Sequence, residues 1–96
     1  MVEGRPSRRG SGWMVYVLRC KNGELYTGCT TDVQRRLREH NSGIGSKFTR
    51  SRLPVALVYL EQVQARSEAL RRERAIKMMR RTDKLALLGQ ASATTA

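Results

Sequence analysis

From Trp13 to Cys20 the chain is a nearly continuous apolar run built on Trp, Val and Tyr, and Asn22-Gly23 follows almost at once. No other feature constrains the fold as much. A short run of β-branched and aromatic residues reads as a well-buried strand, and Asn-Gly between two such runs signals a hairpin. Leu25 to Cys29 is then the returning strand. A two-residue turn at Asn22-Gly23 would pair Lys21 with Glu24 and send Tyr16 and Tyr26 to opposite faces. A longer or bulged turn would bring both phenols to one face.

The remaining elements follow from caps and breakers. Thr31-Asp32-Val33-Gln34 has the form of a capping box, so a helix is expected from there to about Asn41, stopped by Asn41-Ser42-Gly43. Its apolar stripe is Val33 and Leu37, with Arg36 and His40 beside it one turn apart. Residues 42–53 read as a basic loop. Pro54 opens a third strand, Val55 to Glu61. Ser67 is the expected N-cap of a second helix reaching Arg80 or Arg81, and Thr82 to Leu88 reads as a short third helix closed by Gly89. Residues 1–12 are expected to form a flexible basic arm and 90–96 a disordered tail. The expected fold is α/β: a small three-stranded antiparallel sheet flanked by helices, in the order β-β-α-β-α-α, with residues 13–89 as its one domain.

Nineteen Lys and Arg against eight Asp and Glu give a net charge of +11, with arginine concentrated at 35–38, 47–52 and 66–81. Such an excess concentrates polyanions, which points to DNA or RNA. No apolar run approaches the ~18–20 residues that span a bilayer, and the run behind Arg5, Arg8 and Arg9 is too short for a signal peptide. A cytoplasmic protein that does not engage membranes is expected. Cys20 and Cys29 have neither metal-ligand spacing nor the density of a disulfide scaffold, and read as small hydrophobes.

On the second helix, Ala69, Leu70, Ile76 and Met79 mark the inward arc, and Glu73 falls inside it. A carboxylate there needs a partner. It is either an internal salt bridge to Arg36 or Lys77, or a ligand for a hard divalent ion. His40, the only histidine, is by itself a structural residue favoured by a helix C-terminus. Arg36 on the same face changes that, because a guanidinium fork matches phosphate oxygens. Tyrosine is a poor base at its reference pKa of ~10, so Tyr16 and Tyr26 gain meaning only from cationic neighbours or from a base that takes the phenol proton.

Taken together, these residues resemble the GIY-YIG nuclease superfamily. Val15-Tyr16-Val17 stands at the first motif, in place of Gly-Ile-Tyr, and Tyr26-Thr27-Gly28 at the second. Arg36 to Asn41, then Lys47-Phe48-Thr49 before Pro54-Val55, resemble the small stand-alone bacterial members and the catalytic subunit of a eukaryotic branched-DNA endonuclease. Glu68 to Glu73, followed by Ala75-Ile76-Lys77, is similar to the family's metal-binding helix. The asparagine that many members carry after that helix has no counterpart.

The resemblance implies a divalent-metal-dependent DNA endonuclease, acting on branched or damaged DNA, with RNA also open as substrate. Glu73 would hold one Mg²⁺ or Mn²⁺. Tyr16, helped by His40, would activate water; Tyr26 and Lys77 would orient it; Arg36 would neutralise charge on the phosphate. Lys47, Arg50, Arg52, Arg66 and Arg80 would contact nucleic acid. The resemblance also requires both phenols on one face, hence a bulged turn. A monomer relying on a partner protein for targeting is expected. Two other readings stay open: a nucleic-acid-binding module that cuts weakly or not at all, and an adaptor in which Glu73 simply pairs with Arg36.

Overall fold

The computed structural model describes residues 12–95, with side chains through Gly89. The expected arm, residues 1–12, lies outside the described residues except for Gly12, as do Ala96 and the side chains of 90–95. In chain order the elements are β1 Met14–Arg19, β2 Leu25–Thr30, α1 Val33–Asn41, α2 Lys47–Arg50, β3 Ala56–Gln62, α3 Arg66–Lys77 and α4 Arg81–Thr95. The three strands form one antiparallel sheet in the order β2-β1-β3. No described helix is long and apolar enough to cross a membrane.

The hairpin turn decides which residues share a face. Arg19 pairs with Leu25, Tyr16 with Gly28 and Leu18 with Tyr26. Cys20 N–H donates to Glu24 O, and Gly23 N–H donates to Cys20 O. The loop is therefore three residues, Lys21-Asn22-Gly23, rather than the two-residue Asn-Gly turn, and Gly23 takes φ +91°. This is the type I turn closed by a bulge glycine. With alternation along each strand, it places Tyr16 and Tyr26 on one side. A second irregularity adds Val58 between the β3 partners of Val17 and Leu18.

The sheet carries a core on each face, with β1 central and almost fully buried. Tyr16, Leu18 and Cys20 pack with Val33 of α1 and Val55; Leu37 and Phe48 join them. Val15 and Val17 pack with Val63 and with Ala69 and Ile76 of α3. Helices on both faces of an antiparallel sheet thus bury both apolar sides of one short strand.

Several boundaries differ from those read in the sequence. Asp32, not Thr31, caps α1: its carboxylate accepts from Arg35 N–H at 3.0 Å, while Thr30 Oγ1 accepts from Asp32 N–H at 3.1 Å. An anion at the positive end of the helix outcompetes the hydroxyl. The segment taken as loop contains the single turn α2, capped by Ser46 Oγ, which accepts from Thr49 N–H. Helix α3 begins at Arg66 without a side-chain cap and ends at Lys77, short of Arg80. Helix α4 runs through Gly89 to Thr95. Gly89 does not adopt the positive φ of a helix-ending glycine. Inside a helix it costs only about 1 kcal/mol relative to alanine, a weak stop.

Candidate active site

Tyr16 reaches from the central strand across Gly28 of β2, its register partner. A Cβ on Gly28 would lie 2.5 Å from the Tyr16 hydroxyl oxygen and 2.7 Å from the ring carbon that bears it. Glycine here is room for a phenol, a use of glycine inside a strand that does not need an unusual φ. The phenol oxygen sits 3.0 Å from His40 Nε2, and His40 Nδ1 sits 2.8 Å from Thr49 Oγ1. Tyr16, His40 and Thr49 are all buried. Thr49 is in turn hydrogen-bonded to Ser46, whose hydroxyl is 2.9 Å away. With a proton on Nδ1, the imidazole donates to Thr49 and presents a bare Nε2 to the phenol. Gly45 packs so closely on the ring that a Cβ there would clash with it.

Tyr26 completes an aromatic group, its ring 6.4 Å from Tyr16, 5.0 Å from His40 and 5.9 Å from Phe48. Arg36 closes the cluster from α1. Its guanidinium donates to Glu39 Oε1 at 2.8 Å and to Gly45 O at 2.9 Å. Burial pushes the Tyr16 phenol up to about 12, with Arg36 opposing that rise and the charges of Tyr26 and Glu73 adding to it. Burial, then the charge of Arg36, holds His40 below its usual range. At neutral pH this is a protonated phenol facing an unprotonated imidazole, which can take the phenol proton.

Glu73 approaches from the other face of the sheet. Ala69 and Ile76 anchor α3 in the core, which leaves Glu73 at the margin of the buried stripe and turns Leu70 outward, 43% exposed instead of inward as expected. Glu73 Oε2 pairs with Lys77 Nζ at 2.8 Å, and Cys29 Sγ donates to Oε1 at 3.2 Å. Of the two salt-bridge partners read from the sequence, the ion pair is with Lys77. Glu73 raises the pKa of Lys77, chiefly through their hydrogen bond. Glu73 lies near enough to bear on Tyr16, and Lys77 near enough to feel Tyr26. A solvent-reachable hollow of about 480 Å³ opens at the carboxylate, lined by Leu70, Glu73, Arg74, Lys77 and Met78; the phenols do not line it.

Among the described residues no three His, Cys, Asp or Glu side chains gather as a metal cage. A lone carboxylate beside a solvent-reachable hollow fits a hard divalent ion whose remaining ligands are phosphate and water. Lys77, half exposed, can yield its place on the carboxylate.

The basic residues divide. Lys47 and Arg50 are exposed on α2, next to the Thr49–His40 contact. Arg66 lies over the Trp13 ring at 5.9 Å, and Arg80 is almost fully exposed, 4.0 Å from Asp83. Arg52 is different: it bonds Glu24 at 2.5 Å and Phe48 O at 2.7 Å, and covers the Phe48 ring at 3.9 Å. It is a latch between hairpin and α2 more than a free cation. Ser46 and Gly45 carry no reading from the sequence, Thr49 enters there only within Lys47-Phe48-Thr49, and Cys29, read as a small hydrophobe, proves to be a hydrogen-bond donor to Glu73. For Ser46 and Thr49 the one local signal is a hydroxyl pair at cap spacing.

The chain matches the family model described as the GIY-YIG catalytic domain over residues 12–86. It is 55% identical over 73 residues to a UPF0213 protein of Halobacterium salinarum, covering 76% of this chain and 95% of that one. It is 51% identical over 76 residues to a UPF0213 protein of Streptococcus agalactiae, covering 79% and 86%. The solution structure of a UPF0213 protein from Bacillus halodurans superposes with a TM-score of 0.54 at 44% identity, over 81% of this chain and 83% of that chain. With its motif tyrosines, arginine, histidine and glutamate on this fold, the chain belongs to the GIY-YIG catalytic-domain family.

Proposed function

We propose that this protein is an endonuclease that hydrolyses phosphodiester bonds in DNA with the help of one divalent ion, Mg²⁺ or Mn²⁺. The observation that carries this reading is the buried hydrogen bond between the Tyr16 hydroxyl and His40 Nε2 at 3.0 Å. A phenol whose pKa is about 12 is ionised in only about one molecule in ten thousand at pH 8. It is therefore a poor resting base. Passing its own proton to His40 as it accepts one from water removes that difficulty, because no free phenolate has to form. Thr49 keeps the imidazole turned so that Nε2 meets the phenol. Tyr26, whose ring lies 5.0 Å from that of His40, and Lys77, which feels the charge of Tyr26, would orient the water. Arg36, held by Glu39 and Gly45, puts fixed positive charge where the phosphate gains negative charge. Glu73 would hold the divalent ion, which when bound supplies Lewis-acid polarisation of the phosphate and charge neutralisation at the leaving oxygen.

Branched or damaged DNA is the proposed substrate, with exposed Lys47, Arg50, Arg66 and Arg80 tracking the backbone. The 2.8 Å Glu73–Lys77 ion pair favours a second reading, a nucleic-acid-binding module with little turnover. One comparison separates them: plasmid and branched DNA incubated with Mg²⁺, Mn²⁺ or chelator, beside Glu73→Ala and Arg36→Ala. Nicking that needs metal and disappears in both variants is the expected result. Salt-sensitive binding with no nicking under any condition would establish the second reading instead.

A further inference from the structure

The carboxylate of Glu73 is held at both oxygens, and the two holders are unlike. Lys77 Nζ sits one turn along the same helix on a half-exposed, flexible side chain. Cys29 Sγ belongs to β2, forty-four residues away in sequence. Strand β2 is fixed by its ladder to β1, where Cys29 pairs with Val15, and Val15 is fully buried. Helix α3 is fixed by Ala69 and Ile76, which are 0% and 1% exposed. Among the described residues the thiol is the only hydrogen bond that ties the carboxylate to the sheet, the frame that also carries Tyr16 and Tyr26.

We propose that Cys29 is the positioning residue for Glu73: its thiol fixes the carboxylate against the sheet so that the acid and the Tyr16–His40 pair keep one geometry. The inference rests on the nuclease reading for what that geometry serves, but not for the contact itself. A thiol suits the task because it is a weak donor. It orients an oxygen without neutralising it, and gives the oxygen up readily when a cation arrives. A lysine ammonium on both oxygens would compete with the ion instead. Cys20, by contrast, is buried at 3% exposure in the opposite core and makes no such contact among the described residues.

The test pairs two variants with a readout that does not need turnover. Cys29→Val keeps the shape and loses the donor; Cys29→Ser keeps a donor. Cys29→Val is expected to raise the Mn²⁺ concentration for half-maximal nicking and lower kcat by about tenfold, leaving KM for DNA in place, while Cys29→Ser restores both. Independently, a chromogenic disulfide is expected to label Cys29 about tenfold faster in Glu73→Ala, because the carboxylate that engages and covers the thiol is gone. Mn²⁺ should move native labelling in the same direction. Equal ion requirements in the Val and Ser variants, or labelling indifferent to Glu73→Ala, would overturn the proposal. If the native chain fails to nick at all, the nuclease reading falls, and the labelling response still decides whether thiol and carboxylate are coupled.

Discussion

In the proposed reaction two side chains carry most of the chemistry, and their ionisation gives predictions of opposite sign. His40 is held below 6.5, by burial first and Arg36 second. The unfolded chain therefore binds a proton at this position that the folded chain refuses. Stability from this group is complete above pH 6.5 and declines as pH falls below it. Nicking is expected to decline over the same range, because a protonated imidazole cannot accept from Tyr16. The phenol behaves the other way. Raised from 10 to about 12, Tyr16 stays protonated when the unfolded chain ionises, so stability should fall as pH rises from 10 toward 12. Thermal melts across both ranges check the two signs. Tyr16→Phe and His40→Gln should each lower the nicking rate by about 10²–10⁴. An activity unchanged in Tyr16→Phe would remove the phenol from the reaction. Gly28→Ala drives a methyl into the Tyr16 hydroxyl and should cost about 1–3 kcal/mol in a urea melt, with nicking falling alongside.

At the scale of elements, the site depends on two short pieces that sequence patterns describe poorly. The three-residue hairpin loop sets the face on which Tyr26 emerges. Gly23 at φ +91° makes that loop possible, so Gly23→Ala should cost about 1–2 kcal/mol, the penalty for a left-handed backbone with a Cβ. Unfolding in urea with an unchanged m-value is the check. The single turn α2 supplies Thr49 to His40. Thr49→Val leaves the buried Nδ1 without its partner, and an unmet buried polar group costs about 1–3 kcal/mol. Nicking should fall as well, because nothing then turns Nε2 to the phenol. A variant as stable and as active as the native chain would show that α2 only fills space. Asn41 illustrates the same point: read as a helix stop, it also brackets Val55 through both backbone groups, at 3.1 and 2.8 Å.

For the whole molecule, charge is the property that a measurement reaches first. Binding to DNA should weaken log-linearly with salt, and alanine at Lys47, Arg50, Arg66 or Arg80 should each reduce the slope by about one. Arg52→Ala is expected to behave differently, lowering thermal stability with little change in slope, because its guanidinium is occupied by Glu24 and Phe48. A slope reduced equally by Arg52→Ala would put it back among the phosphate contacts. The strands, the buried centre of β1, the helix bearing Arg36 and His40, and the family were legible in the amino-acid order alone, since these rest on local apolar runs and on ordered motifs. Packing in three dimensions settled that Glu73 pairs with Lys77 and Cys29, that Leu70 turns outward, that Arg52 is internally bound, and that Thr49 extends the hydrogen-bonded chain from Tyr16 through His40. The Glu73–Lys77 pair lies within one turn of α3 and was one of two partners open to it, whereas Cys29, Glu24 and Thr49 reach their partners from other elements. The rotation of α3 follows from how Ala69 and Ile76 seat in the core, and no local pattern encodes these contacts.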